Sequence, residues 1–131
     1  MIKSWQLFLE QGRVLEIEAE KLRKRGDLVP AGRKIAEAAI YFLKAICLAE
    51  KVPCEKESDY FKAAAEIARR FRQQNISRQF GLAMILFLNA DITSNSKNAF
   101  VMNLSGDQIK TFFKDVQKFI HLAHDRLRAS S

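Results

Sequence analysis

The sequence predicts an all-α fold, an antiparallel bundle of about five helices. Apolar residues recur at three- to four-residue spacing along most of the chain, as on one face of a helix. Residues with high helix propensity dominate, and the 131 residues include only 5 glycines and 2 prolines to interrupt them. A length of 131 residues with 48% hydrophobic side chains suits one domain spanning residues 1–131.

The first two helices are predicted from their end signals. Ser4 can cap the first helix through its hydroxyl, and Gly26 suits the left-handed residue that follows a helix. Asp27 then caps a second helix that carries Pro30 in its first turn. Gly12 lies on the apolar stripe of the first helix, so we expect a neighbouring helix to approach closely there.

The next two helices are predicted from their apolar stripes. The third begins at Ser58, and its buried face is predicted to contain Phe61, Ala64, Ala65, Ala68 and Phe71. The fourth begins at Ser77. No charged residue occurs from Phe80 to Leu88, so we expect this helix to be central and covered on most sides.

A loop is predicted over Thr93–Asn103, where polar residues follow one another without helical periodicity. Ser105 and Gln108 then form a Ser-x-x-Gln capping box that opens the last helix. The helical spacing of its stripe predicts burial of Ile109, Phe112, Phe113, Val116, Phe119, Ile120, Ala123 and Leu127.

Basic residues give the strongest indication of function. The formal net charge is +7, which favours binding to polyanions. Four arginines flank the predicted turn between the third and fourth helices, and we predict a nucleic-acid-binding site at Arg69, Arg70, Arg72 and Arg78. A second basic cluster comprises Lys21, Arg23, Lys24, Arg25, Arg33 and Lys34. The alternative explanation for both clusters is that cations simply stabilise helix C-termini.

The residue patterns that several kinds of functional site require are absent from the sequence. The glycines are scattered, so a phosphate-binding glycine loop is not expected. The two cysteines and two histidines are the bare minimum of ligands for a structural zinc site and lack its spacing, and we predict neither metal nor cofactor. Cys47 and Cys54 would lie about 10 Å apart on one helix, beyond bridging distance, and are interpreted as one buried thiol and one loop thiol.

The expected location is the cytoplasm. No secretory signal pattern is present in Met1–Leu9. The longest apolar run, Phe80–Leu88, is far shorter than the ~20 residues that a membrane-spanning helix requires. We therefore expect no membrane insertion.

The segment Ala19–Lys34, with its Gly26-Asp27 turn, resembles the opening of the archaeal PaREP-type helical family. The alanine-rich helix over Ala36–Ala49 and the closing pattern of apolar helix, loop and long amphipathic helix are also similar to it. That family is related to HEPN bundles, which are often homodimers and include ribonucleases and toxin components that act beside nucleotidyltransferases. The HEPN catalytic signature, an arginine four to six residues before a histidine, is absent, since Gln79–Ile120 contains no arginine.

The resemblance implies a HEPN-like, homodimeric, non-catalytic module that binds RNA, a nucleotide or a protein partner, which could be a nucleotidyltransferase. One alternative is a degenerate HEPN-type ribonuclease or toxin component that uses His121 or His124. Another is a scaffold, because Ala38–Ile46 is similar to half of a tetratricopeptide repeat. Such an array requires at least about three copies of its repeat, and the sequence contains one.

Overall fold

The computed structural model describes residues 3–94 and 104–129, and in them the all-α prediction is confirmed. The helices are α1 (Ser4–Lys24), α2 (Leu28–Glu50), α3 (Tyr60–Phe71), α4 (Asn75–Ser94) and α5 (Gly106–Ala129). A short 3-10 turn over Glu57–Asp59 precedes α3. No strand occurs in the described ranges.

Neighbouring helices are mostly antiparallel. The early part of α1 lies beside the later part of α2, where the rings of Phe8 and Tyr41 are 6.1 Å apart. Further along α1, Glu18 pairs with Lys34, near the start of α2. The α4 and α5 helices also run in opposite directions, since Phe80 contacts Phe119 whereas Asn89 contacts the residues that precede α5.

The central helix is α2, which packs against each of the other four helices. Its buried face alternates small residues with large ones, so the neighbouring backbones come close and the large side chains fill the remaining space. The fully buried members are Ala31, Ile35, Ala36, Ala38, Ala39, Phe42, Leu43 and Ala45. The prediction for the fourth helix is confirmed in part: Leu88, 51% exposed, is the one exposed residue of the run Phe80–Leu88, but the helix at the centre is α2.

Gly12 is the point of closest approach between α1 and α2. A Cβ atom added at Gly12 would lie 2.9 Å from two ring carbons of Phe42, which is itself fully buried. The predicted close contact at this glycine is therefore confirmed.

The predicted buried face of α3 is confirmed at Ala64 and Ala68 but wrong at Phe61 and Ala65. Phe61 is 58% exposed and Ala65 is also exposed, whereas Tyr60 and Ile67 are buried. Apolar residues occupy two adjacent faces of this short helix, so periodicity alone does not select between them. The face with Tyr60 and Ile67 is the one turned to the core, and the ring of Phe61 reaches Phe80 only edge-on.

Two predicted helix ends are confirmed. Gly26 has a φ of +85°, as expected for a left-handed residue after α1. Ser105 and Gln108 form the reciprocal capping box of α5: the Ser105 N–H donates to Gln108 Oε1, and the Gln108 N–H donates to Ser105 Oγ.

Two other predicted caps were wrong. Ser4 is already the first helical residue, and the Lys3 N–H before it donates to the Gln6 side chain at 2.7 Å. Asp27 occupies the expected position before α2 but makes no side-chain capping bond, because its carboxylate pairs with Arg25 at 2.8 Å. An ion pair with the preceding turn has replaced the cap.

The loop predicted over Thr93–Asn103 begins later than expected, since Thr93 and Ser94 belong to α4. The rest of that prediction falls on residues 95–103, outside the described residues. Beside this segment, the buried Asn89 accepts a hydrogen bond from the Leu104 N–H at 3.1 Å. This amide therefore fixes the residues that lead into α5 against α4.

We predict opposite effects for two glycine-to-alanine substitutions within helices. Gly12→Ala gains about 0.5–1 kcal/mol of helix propensity, but overpacking against the rigid ring of Phe42 costs about 1–3 kcal/mol, so the free energy of unfolding should fall. Gly81→Ala is the matched control, because among the described residues no atom beyond its own stretch of helix lies within 4 Å of the added Cβ. Its free energy of unfolding should therefore rise by the gain in helix propensity alone. Urea denaturation measures the free energy of unfolding of both variants. An equal increase in the two would contradict the close contact at Gly12.

Candidate functional site

The end of α3 places three of the four predicted site arginines around one helix terminus. Arg69 and Arg70 lie in its last turn, and Arg72 follows in the left-handed conformation with a φ of 55°. The chain reverses there because the Gln73 N–H donates to the Ala68 carbonyl at 2.9 Å. This reversal places the arginines at the surface, where all three are exposed.

Arg69 and Arg70 converge on one carboxylate. The Nη2 atom of Arg69 lies 2.5 Å from Glu66 Oε1, and the Nε atom of Arg70 lies 2.9 Å from the same oxygen. Hydrogen bonds from Arg69 and then Arg70 lower the pKa of Glu66 to about 2. The two guanidinium groups can therefore hold a single anionic group together.

Arg70 has a structural role as well. Its Nη1 atom donates to the Glu50 carbonyl at 2.7 Å, at the C-terminus of α2. This contact is the helix-capping role that was the alternative explanation for the basic residues. Arg69 makes no such contact with a helix end, and its side chain is 72% exposed.

A cleft of about 600 Å³ lies beside these arginines. One wall comes from α3, with Lys62, Glu66, Arg69 and Arg70, and the opposite wall is the apolar pair Val52 and Pro53. Asp59 also lines it, so three cationic side chains face two carboxylates. The cleft is therefore weakly positive and has both polar and apolar surface.

The other two arginines of the predicted site, Arg72 and Arg78, differ from Arg69 and Arg70. Arg72 is exposed, and in the described ranges it has no acidic side chain within ion-pair distance. Arg78, in the first turns of α4, pairs with Asp115 of α5 at 3.3 Å, and Lys118 lies 3.6 Å from the same carboxylate. Arg78 is therefore held against α5 and does not line the cleft.

Arg126 was missed by the sequence analysis. Its guanidinium lies 4.5 Å from the ring centroid of Phe71, at the end of α3. The two residues are far apart in the sequence, and only the tertiary fold brings this cation to the end of α3. The sequence offers one indication of this position: Arg126 directly precedes Leu127, which belongs to the predicted apolar stripe of the last helix.

The second basic cluster lies at the other end of α2. This second cluster lies around the turn between α1 and α2, at the N-terminus of α2. Arg70 contacts the C-terminus of α2, roughly 33 Å away along that helix. Most of its cations have acidic partners: Arg23 pairs with Glu20, Arg25 with Asp27, and Lys34 with Glu18. The two clusters therefore form separate patches.

Arg33, the remaining arginine of this cluster, joins α2 to α4. Its guanidinium pairs with Glu37 at 3.2 Å and with Asp91, and it lies 4.9 Å from the ring centroid of Phe87. These contacts explain Arg33 as a structural residue.

A second cleft of about 540 Å³ lies between α1 and α5. His121 Nε2 lies 3.5 Å from Glu16 Oε2, and Lys21 and Lys24 line the same cleft. Glu20 accepts a hydrogen bond from Gln117 at 2.7 Å. Burial raises the pKa of Glu20, but hydrogen bonds from Gln117 and Arg23 outweigh it and lower the pKa overall.

His121 therefore faces a carboxylate across a cleft. His124 does not line this cleft. Within residues 3–94 and 104–129, no group of three or more His, Cys, Asp and Glu side chains is arranged to hold a metal ion. In the same ranges no helix has the length and apolar character needed to cross a membrane.

Comparisons with protein-family models, with curated proteins and with solved structures find no match to this chain. The resemblance to the PaREP-type and HEPN families therefore stays a prediction.

We predict that the Glu66 carboxyl titrates near pH 2 in the folded protein, well below its usual range. Because its pKa is lowered on folding, the stabilisation from this carboxylate is present above about pH 4.5 and is lost as the pH falls through about 2. A carbon-13 NMR titration of the side chain measures this. In an Arg69→Ala, Arg70→Ala double variant the pKa should return towards its usual range, and an unchanged pKa there would contradict the assignment.

Proposed function

We propose that this protein is a non-catalytic helical binding module of HEPN-like type, and that it binds the phosphate groups of RNA or a nucleotide at the Arg69–Arg70 cleft. The observation that supports this most is the convergence of the two guanidinium groups on Glu66. A phosphate offers more acceptor oxygens than this carboxylate and can replace it in the same two-arginine grip.

The surroundings of the cleft favour a nucleic acid over a bare phosphate ion. Lys62 adds a third cation on the cleft wall. Phe61 and Ala65 lie one turn apart on one face of α3, and Ala65 also lines the cleft. The exposed ring of Phe61 is therefore near enough to stack on an unpaired base, which is how proteins bind single-stranded RNA.

Exposed ion pairs contribute little to stability, so folding does not by itself require so many arginines here. Among the residues that the structure describes, Arg69 pairs only with Glu66, three residues earlier on α3. Its role is therefore better explained by a ligand than by the fold. A homodimer, a nucleotidyltransferase partner and a cytoplasmic location stay predictions.

We predict that Arg69→Ala weakens RNA binding, with a control that matches it in exposure and in local pairing. Arg25→Ala is that control: Arg25 is 69% exposed and pairs with Asp27, as Arg69 is 72% exposed and pairs with Glu66. Fluorescence anisotropy with a single-stranded RNA, measured across a salt series, reports the affinity. Loss of one phosphate contact should lower the slope of log affinity against log salt by about 0.7 for Arg69→Ala only.

Two results would contradict the proposed site. One is an equal loss of affinity in both variants, which would indicate a general charge effect. The other is a larger loss in Arg25→Ala, which would place binding at the α1–α2 turn. Removing the competing carboxylate by Glu66→Gln should increase the affinity, because both arginines then face the ligand alone.

The second candidate is the ribonuclease alternative, and the cleft between α1 and α5 favours it. There His121 and Glu16 are close enough to act as an acid–base pair, with Lys21 and Lys24 available for a phosphate. His121 is 68% exposed, however, and within the described part of the chain its ring is held by this long contact alone. Such loose positioning is unsuited to catalysis.

We therefore predict that the purified protein leaves the RNA of the binding assay intact, as measured on a denaturing gel. Cleavage that survives in Arg69→Ala but is abolished in His121→Ala and Glu16→Gln would instead establish the enzyme.

A further inference from the structure

The two cysteines, interpreted from the sequence as separate thiols, come together in the structure. The α2 helix ends at Glu50, and Lys51 takes the left-handed conformation with a φ of 59°. The Val52 N–H then donates to the Cys47 carbonyl at 2.8 Å, so the chain folds back over the last turn of α2. Cys54 consequently lies beside Cys47, and the distance estimated for a continuous helix does not apply.

Both cysteines are free and buried, with Cys47 1% exposed and Cys54 8% exposed. Both thiols line one cavity and lie close enough to interact. This interaction, followed by burial, raises the pKa of Cys47, and the same interaction lowers the pKa of Cys54 against the effect of burial. Of the two sulfurs, Cys54 is therefore the one that loses its proton more readily.

Lys44 is the cation that faces Cys54. Its positive charge favours the Cys54 thiolate, whereas Asp59 opposes it. Three aromatic rings hold the ammonium group in place: its Nζ atom lies 5.8 Å from the ring centroid of Phe8 and 5.7 Å from those of Tyr41 and Tyr60. A cation fixed beside a sulfur is a common feature of reactive cysteines.

A cavity of about 370 Å³ gives a small molecule access to this pair. Both cysteines and Lys44 line it, together with the apolar side chains Phe8 and Leu48. The volume falls within the range of small-molecule pockets.

We propose that Cys54 and Cys47 are a redox-active dithiol that reduces low-molecular-weight disulfides, with Cys54 as the attacking thiol, Cys47 as the resolving thiol and Lys44 as the residue that stabilises the attacking thiolate. The chain reversal after α2, the cavity that both cysteines line and the lysine held among three rings carry this inference, which is independent of the RNA-binding proposal.

The reaction balances with one disulfide as the oxidant. The Cys54 thiolate attacks one sulfur of the disulfide, whose S–S bond breaks and releases one thiolate. Cys47 then loses its proton to solvent and attacks Cys54 Sγ, which releases the second thiolate. The two released thiolates take up the protons that the cysteines have lost. Two protein thiols are oxidised to one disulfide, and the small disulfide is reduced to two thiols.

Acid-quenched intact-mass spectrometry of the full chain, after incubation with glutathione disulfide, tests the proposal. The wild type should lose two hydrogen atoms in mass and keep no glutathione. Cys47→Ala should retain one glutathione on Cys54, and Cys54→Ala should stay unmodified over the same time. A wild type that stays reduced, while the urea-unfolded chain reacts, would overturn the proposal. So would a first mixed disulfide on Cys47.

A pair of lysine variants tests the role of Lys44. Lys44→Met should slow the formation of the mixed disulfide in the Cys47→Ala background by at least about threefold, because the thiolate loses its fixed cation. Lys56→Met removes the same charge from an exposed position that does not line the cavity, and should leave the rate unchanged. Equal rates in the two variants would overturn the assignment of Lys44.

Discussion

Close packing of α1 and α2 at Gly12 and Phe42 is the constraint on which the rest of the bundle depends. Phe42 is fully buried on the central helix, and the absence of a side chain at Gly12 lets α1 lie directly over its ring. Because α2 also contacts α3, α4 and α5, the position of this helix determines where the other elements can lie. Its small residues allow these close approaches.

The polar features follow from where α2 ends. Its C-terminus is held by Arg70 and by the return of the chain after Lys51. The same return places Val52 and Pro53 opposite the arginines of α3 and brings Cys54 to Cys47. The arginine cleft and the dithiol cavity therefore share one loop, and Val52 and Pro53 line both of them. A ligand in either cleft would contact the same short segment.

The sequence predicted the features that depend on local spacing and failed on those that depend on tertiary packing. The capping box at Ser105 and the left-handed Gly26 are local, and both predictions are confirmed. The buried face of α3 was predicted correctly at Ala64 and Ala68 but wrongly at Phe61, because the neighbouring helices, not the period of α3 itself, select Tyr60 over Phe61. Arg126 and the cysteine pair were missed for the same reason, since long-range packing and a chain reversal bring those residues together. Arg69 and Arg70 were predicted from composition, and the structure adds the shared Glu66 carboxylate.

Native-state hydrogen exchange tests most directly whether α2 organises this fold. Amides between Ala36 and Ile46, in the part of α2 that is most enclosed, should exchange only through global unfolding and should be the slowest in the chain. Their free energies of exchange should equal the free energy of unfolding measured with denaturant. Faster exchange in this segment than in α4 or α5 would contradict the account, because a helix that opens locally would not determine the positions of its neighbours.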